Sequence, residues 1–232
     1  HVRSRRQRQM CIRDSPKRAA TAMQELSVGE KSLYFPQDTY AKGSWFVFSN
    51  TNQFVCILNG AFNPHISEEG YKMSRGKMAL DFFKYKDYKS FVNSFEFEGI
   101  EPFTFIIFDQ GVLVELRWDE IKLHIKELSD SEVHLWSSST LYPSSWEVER
   151  KERLRKWLFN GLRTQEDIMN FHKKEFPFNR EALVEIYGNQ VPKELPVQTL
   201  SVSSVKLSQA VFDFHYKRVN SPINFKKSIQ VE

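Results

Sequence analysis

The sequence predicts an α+β fold in which antiparallel sheets are covered by helices. Three observations carry this expectation. Strand-like and helix-like segments come in blocks, in the order strands, helix, strands, helices, strands, rather than in strict alternation. Neighbouring strand segments are joined by short turn-forming tripeptides such as Asn50-Thr51-Asn52 and Asp109-Gln110-Gly111. The 232 residues are 41% hydrophobic and include twenty Phe and five Trp, ample for a compact, sheet-rich interior in one large domain or two small ones.

The elements follow in order. Residues 31–35 form a short strand closed by Pro36. Segments 44–49 and 53–58 form a hairpin. Residues 54–62 (Phe-Val-Cys-Ile-Leu-Asn-Gly-Ala-Phe) are the most informative stretch. Val55, Ile57 and Asn59 point one way, Phe54, Cys56 and Leu58 the other. A strand apolar on both faces is buried on both faces, and an amide at its mouth needs a reason. Two reasons stand open: Asn-Gly hairpin-turn chemistry, or an amide set beside a reaction centre as an oxyanion donor.

From residue 74 to 95 the apolar spacing turns helical, with Met78, Phe82, Phe91 and Phe95 on one stripe. Pro102 breaks it. Segments 103–108, 112–118 and 122–128 read as an antiparallel meander, and 133–136 as one more short strand. Ser144 or Ser145 caps a helix reaching about Asn160, with Leu154, Trp157, Leu158 and Leu162 on a stripe. Thr164 caps the next helix, 165–175, whose first-turn Glu166 and Asp167 suit the helix dipole. Two late strands follow, 197–207 and 210–217, and one or both are expected to join the sheet of the 44–58 hairpin.

The formal charge of +4 conceals an asymmetry. Residues 1–18 hold seven basic residues and one acid, so the rest of the chain carries −2. Residues 1–15 resemble a translated sequencing-adapter artefact found at the ends of metagenome-derived reading frames. They are expected to be a non-native or disordered basic leader without stable core contacts, and no nucleic-acid partner is assigned to them. Cys11 and Cys56 make no disulfide framework, which fits a reducing, cytoplasmic compartment. No apolar run is long enough to span a membrane, and no secretory signal follows the basic start. Phosphate-loop, dinucleotide, zinc-protease and serine-elbow motifs are absent. The six His lack ligand spacing, so no metal or cofactor is expected, and His65 and His124 read as surface residues. The charge run Arg150, Lys151, Arg153, Arg155, Lys156 reads as a solvated helix face with helix-range Glu partners.

Several motifs then fall in one order: Pro16-Lys17-Arg18-Ala19, Tyr34-Phe35-Pro36-Gln37-Asp38, Ala41-Lys42-Gly43-Ser44-Trp45, Leu58-Asn59-Gly60-Ala61-Phe62, Ser74-Arg75-Gly76, Glu101-Pro102-Phe103-Thr104, Glu115-Leu116-Arg117-Trp118-Asp119 and Trp136-Ser137-Ser138-Ser139-Thr140-Leu141-Tyr142. This resembles the NRDE family, also called transport and Golgi organisation 2, in its bacterial branch. The likeness covers about residues 16–218, so 16–220 is expected to be one domain, with 221–232 a tail.

The resemblance implies an Ntn-hydrolase-like, four-layer αββα sandwich of two antiparallel sheets. It also implies a leading Cys whose thiol attacks an amide or ester while its own amine acts as base. The family's Asn-Arg-Asp-Glu motif is not intact here. Cys11 mimics the family's Met-Cys start, yet Pro16 follows too soon for a nucleophile strand and its return. Cys11 is therefore read as coincidence, the nucleophile and first hairpin as missing, and this chain as inactive. Asn59 matches an oxyanion-type Asn of related cholylglycine-hydrolase-like enzymes. Gly43, Ser44 and Trp45 match a family Gly-Gly-Thr-Trp turn, and Ser137, Ser138 and Ser139 a second pocket wall. Arg75 and Arg150 are weaker substrate-binding candidates. Asn59, the 43–45 turn and the 137–140 run are expected to line one pocket. Two function classes stay open: a Cys-nucleophile hydrolase of a small-molecule amide or ester, and a non-catalytic handler of haem or a lipid-like metabolite. The oligomeric state is not readable.

Overall fold

A computed structural model describes residues 6–13, 20–63, 65, 67, 70–139, 144–161, 163–175, 184, 199–219 and 221–231. The chain divides into two compact units, Lys17–Asp130 with Gln230–Glu232, and His1–Pro16 with Ser131–Ile229. Two antiparallel sheets and helices make up these units, so the fold is α+β.

The first unit is built on a seven-stranded antiparallel meander. Its strands are β2 (Met23–Val28), β3 (Lys31–Pro36), β4 (Phe46–Ser49), β5 (Gln53–Asn59), β6 (Phe103–Asp109), β7 (Val112–Trp118) and β8 (Leu123–Leu128), each paired with the next. The 44–58 hairpin and the 103–128 meander appear as expected. β2, missed in the sequence, pairs with β3 around Gly29, whose φ of 59° suits a residue without Cβ. β6 is buried at every position, as a central strand between two partners should be.

Phenylalanine dominates the packing. Phe46 stacks on Phe54 and Phe54 on Phe108, with centroids 5.8 and 5.3 Å apart. On the alternate positions Phe105 meets Phe82 and Phe91 of the helical segment edge-on.

That segment is not the single helix expected over 74–95. It comprises α1 (Arg75–Asp81), a 3-10 turn (Phe82–Lys84) and α2 (Tyr88–Ser94). Tyr85 is extended, and Asp87 restarts the helix by accepting from Ser90 N at 2.7 Å. The apolar spacing survives because both short helices face the same sheet. The cap, not the stripe, sets the break.

The second unit holds a four-stranded antiparallel sheet in the order β1 (Arg6–Arg13), β9 (Thr199–Ser208), β10 (Val211–Arg218), β11 (Asn224–Gln230). Three expectations are corrected here. The late strands do not join the 44–58 hairpin; they pair with each other, Val211 opposite Ser208. Residues 6–13 are not outside the fold but lie along β9, Arg6 opposite Leu207 and Cys11 opposite Val202. Backbone pairing needs no apolar periodicity, so composition could not reveal this strand. The supposed tail contains β11, where Phe225 stacks on Tyr216 at 4.4 Å and Ile229 is buried.

Helices α3 (Ser144–Phe159) and α4 (Gln165–Glu175) appear over the expected ranges. Thr164 caps α4, its Oγ1 accepting from Asp167 N at 3.1 Å, while the stripe residue Leu162 lies outside the described residues. Leu154 and Phe171 pack with Val133, Leu135, Trp157 and Leu158. Residues 133–136 serve this cluster without forming the expected strand. Gln165 pins α4 to the sheet by donating to Ser204 O and Asp213 O at 3.1 and 2.9 Å.

Candidate functional site

The best-defined polar constellation gathers where β5 ends and β6 begins. Val55 and Ile57 are buried, yet Asn59 on the same alternation is exposed, opposite Phe103 in register. Gly60 follows with φ of 77° and the chain leaves into a long connection to α1. The Asn-Gly pair is therefore not a hairpin turn. The turn fails because β5's next partner, β6, arrives only after α1 and α2.

Gly60 N and Arg75 Nη1 both donate to Pro102 O, each at 2.9 Å. Arg75 Nη2 also pairs with Glu101 Oε2 at 2.8 Å, and Glu101 Oε1 lies 3.0 Å from His65 Nε2. These three side chains are 15%, 15% and 19% exposed, so the chain His65–Glu101–Arg75 is largely withdrawn from solvent and stronger for it. Thr104 Oγ1 donates to Gly60 O at 2.9 Å and Arg117 Nη1 to Ala61 O at 2.7 Å, fixing the exit of β5 from beneath. Phe62, 51% exposed, is held between the Arg117 guanidinium at 5.2 Å and the His124 ring at 4.8 Å.

His65 and His124 thus differ from the surface histidines expected. His65 joins Glu101, and His124 lies 2.6 Å from Asp119 Oδ2. Asp119 also accepts from the N–H groups of Lys122 and Ile121, which with His124 hold its carboxyl down at about 2. Neither partnership was visible in the sequence: Glu101 sits in another segment, and Asp119 reaches His124 only through the turn between β7 and β8. A loop histidine followed much later by Glu-Pro at a strand start is too faint a pattern to read forward.

Part of the expected site does converge. Gly43 approaches the start of α1 so closely that a Cβ there would lie 2.6 Å from Gly76 C, and Ser44 N donates to Gly76 O at 3.0 Å. The Lys42-Gly43-Ser44-Trp45 and Ser74-Arg75-Gly76 motifs are thereby two halves of one backbone contact, a packing demand rather than a ligand contact. Ser44 is buried, its hydroxyl 2.7 Å from Pro36 O and 2.8 Å from Phe46 O, sharing its one hydrogen between them, so it is a structural knot. Trp45 is 7% exposed and accepts at its carbonyl from Ile57 N, and its Nε1 meets no acceptor.

The other expected wall belongs to the other unit. Ser137, Ser138 and Ser139 are half-buried, and Arg150 Nη1 donates to Ser137 Oγ at 2.5 Å. Nearby, burial and then the Arg150 charge push buried His172 down to about 4, so its ring is neutral. Thr140 lies outside the described residues. Cys11 stands near the end of β1 rather than at the head of a strand. Cys56 sits inside β5, opposite Phe46 and Ile106. Among the described residues no group of His, Cys, Asp and Glu could hold a metal ion, and no helix is long and apolar enough to cross a membrane.

No family model matches the chain, and no curated protein matches it. Solved structures do. A variant of the conjugated bile acid hydrolase from Clostridium perfringens is 11% identical, with a TM-score of 0.45 over 96% of this chain and 84% of that one. A second variant of that enzyme gives 0.44 at the same identity and coverage. Penicillin V acylase from Agrobacterium tumefaciens gives 0.47 at 11% identity, over 95% of this chain and 80% of that one. These likenesses are of outline, and no residue role is carried across from them.

Proposed function

We propose that this chain is an NRDE-type domain of Ntn-hydrolase-like fold whose β5 mouth handles the carbonyl of a small-molecule amide or ester. Asn59 is the donor to that carbonyl, and a Cys thiolate other than Cys56 is the nucleophile. The observation that carries the reading is the position of Asn59. It is an exposed amide at the end of an otherwise buried strand, beside a carbonyl already saturated by Gly60 N and Arg75. With Pro102 O so occupied, the backbone is fixed at the residue after Asn59, and a donor set on a fixed backbone suits transition-state stabilisation.

The test is made on the full chain with β1 kept in place, since it pairs with β9. Hydrolysis of a panel of acyl amides and esters is measured, with Cys11→Ser beside the wild type. Turnover that iodoacetamide abolishes, and that Asn59→Ala lowers about a hundredfold with unchanged circular dichroism, supports the reading. Cys56→Ser should leave turnover unaltered. Turnover indifferent to Asn59→Ala in a folded protein overturns it, as does the absence of any turnover across the panel.

A further inference from the structure

Helix α3 carries apolar residues on two sides, and the fold uses one of them. Leu154, Trp157 and Leu158 turn inward, where Leu154 is buried with Phe171 and Trp157 stacks on Phe171 at 4.3 Å. At 3.6 residues per turn, Val148 and Phe159 fall on a second stripe roughly 150° round the helix, together with Lys151, Glu152, Arg155 and Lys156. Phe159 is 91% exposed, more than any other large apolar side chain among the described residues, and Val148 is 63% exposed. Single exposed apolar residues are ordinary, but two on one helix stripe, set among cations, form a surface. Among the described residues none of Lys151, Arg155 and Lys156 is in an ion pair, whereas Arg153, off the stripe, is tied to Glu149 at 2.6 Å. Glu152 is the one acid on the stripe and stands within helix range of both Arg155 and Lys156, so the stripe stays positive.

We propose that the outer stripe of α3 docks this protein on a bilayer containing anionic phospholipid, with Phe159 and Val148 entering the acyl boundary while Lys151, Arg155 and Lys156 meet the headgroup phosphates. This surface does not depend on the carbonyl reading. The two apolar residues stand about 16 Å apart along the axis with charged side chains between them. A protein partner requires a continuous, desolvated apolar centre, which this stripe lacks. A single-stranded nucleic acid could stack a base on Phe159 but has no use for Val148. A headgroup layer accepts both, because Lys and Arg lay their stems along the apolar boundary and keep their charges at the phosphates. The helix would lie in the plane of the interface, its inner side still packed on Phe171.

The full chain is sedimented with sucrose-loaded vesicles of phosphatidylcholine alone and of an equimolar mixture with phosphatidylserine. The wild type is expected on the mixed vesicles and not on phosphatidylcholine. Phe159→Ala lowers the partition coefficient about tenfold, the scale of one aromatic side chain withdrawn from water. Arg155→Gln with Lys156→Gln lowers it about tenfold or more. The basic residues 1–18 are present in every sample, so their attraction to the vesicle cancels in these ratios. Phe159→Trp tests insertion itself, since on vesicles with brominated acyl chains its emission gains a quenched component that the wild type lacks. Folding of each variant is checked by circular dichroism, and such exposed positions leave it unchanged. Partitioning that is indifferent to Phe159→Ala, absence of that quenched component, or equal binding to phosphatidylcholine alone overturns the inference. So does a wild type that ignores both vesicles, including one that instead binds a single-stranded oligonucleotide, or self-associates, through Phe159.

Discussion

His172 shows what one side chain does to the pH response of the second unit. Its ring is buried beside Arg150, and these two causes, burial first, lower its pKa from the ordinary 6.5 to about 4. The unfolded chain therefore binds a proton that the folded one refuses. The resulting stability is fully present above about pH 6.5 and is lost as pH falls toward 4, a difference of roughly 3 kcal/mol. Urea denaturation of the wild type and His172→Gln should show it. The wild type is expected to lose the larger share of its stability over that window, and parallel losses would remove His172 as the cause. Arg150 contributes to this through its charge, a role distinct from the substrate contact expected of it.

At the scale of the element, Asp87 decides more than the apolar stripe does. It caps α2 with Oδ1, which takes Ser90 N and Ser90 Oγ, both at 2.7 Å, and these bonds hold its carboxyl below the usual range. Asp87→Ala should cost about 1 kcal/mol, seen as a lower urea midpoint with an unchanged slope, and Asp87→Asn much less. Because the acid is depressed, the cap is intact above the ordinary carboxylate range and fails as pH drops through its lowered pKa.

The same cap explains what the sequence concealed. Met78, Phe82, Phe91 and Phe95 spell a helical face correctly, but a face says nothing of where the backbone is interrupted. Runs such as 53–58 and 103–108 were legible because burial on both sides leaves no other reading. β2 was not, since at the edge of its sheet it needs few apolar residues, and three of its six are exposed. Gly43 and Arg75 were found as motifs, while their meaning, one backbone contact and one ion pair, required the partners Gly76 and Glu101. His65 was misread because its partner lies in another segment.

For the whole molecule, connectivity separates the two units sharply. Most of the seven-stranded sheet pairs strands that follow one another through tight turns, as in β6, β7 and β8. The four-stranded sheet instead joins β1 to β9, residues 6–13 to 199–207. Closing so long a loop costs entropy before any contact repays it, whereas the run β6 to β8 closes only short ones. Pulse-labelled hydrogen exchange during refolding should therefore protect amides of 103–128 ahead of those in β1 and β9. Protection of β1 and β9 first, or together with the meander, would contradict this order.

The unpaired indole N–H of Trp45 has an optical consequence. Trp118 gives its N–H to Ile100 O, and Trp157 lies against Phe171 with Arg163 over its ring, so these indoles are anchored or stacked. Trp45 is as buried as Trp118, yet its N–H has no acceptor. Its emission should sit at the blue edge of the protein's fluorescence, and its indole proton should resonate apart from the others. Subtracting the spectrum of Trp45→Phe from that of the wild type isolates that signal, giving a label-free gauge of whatever reaches the 43–45 turn.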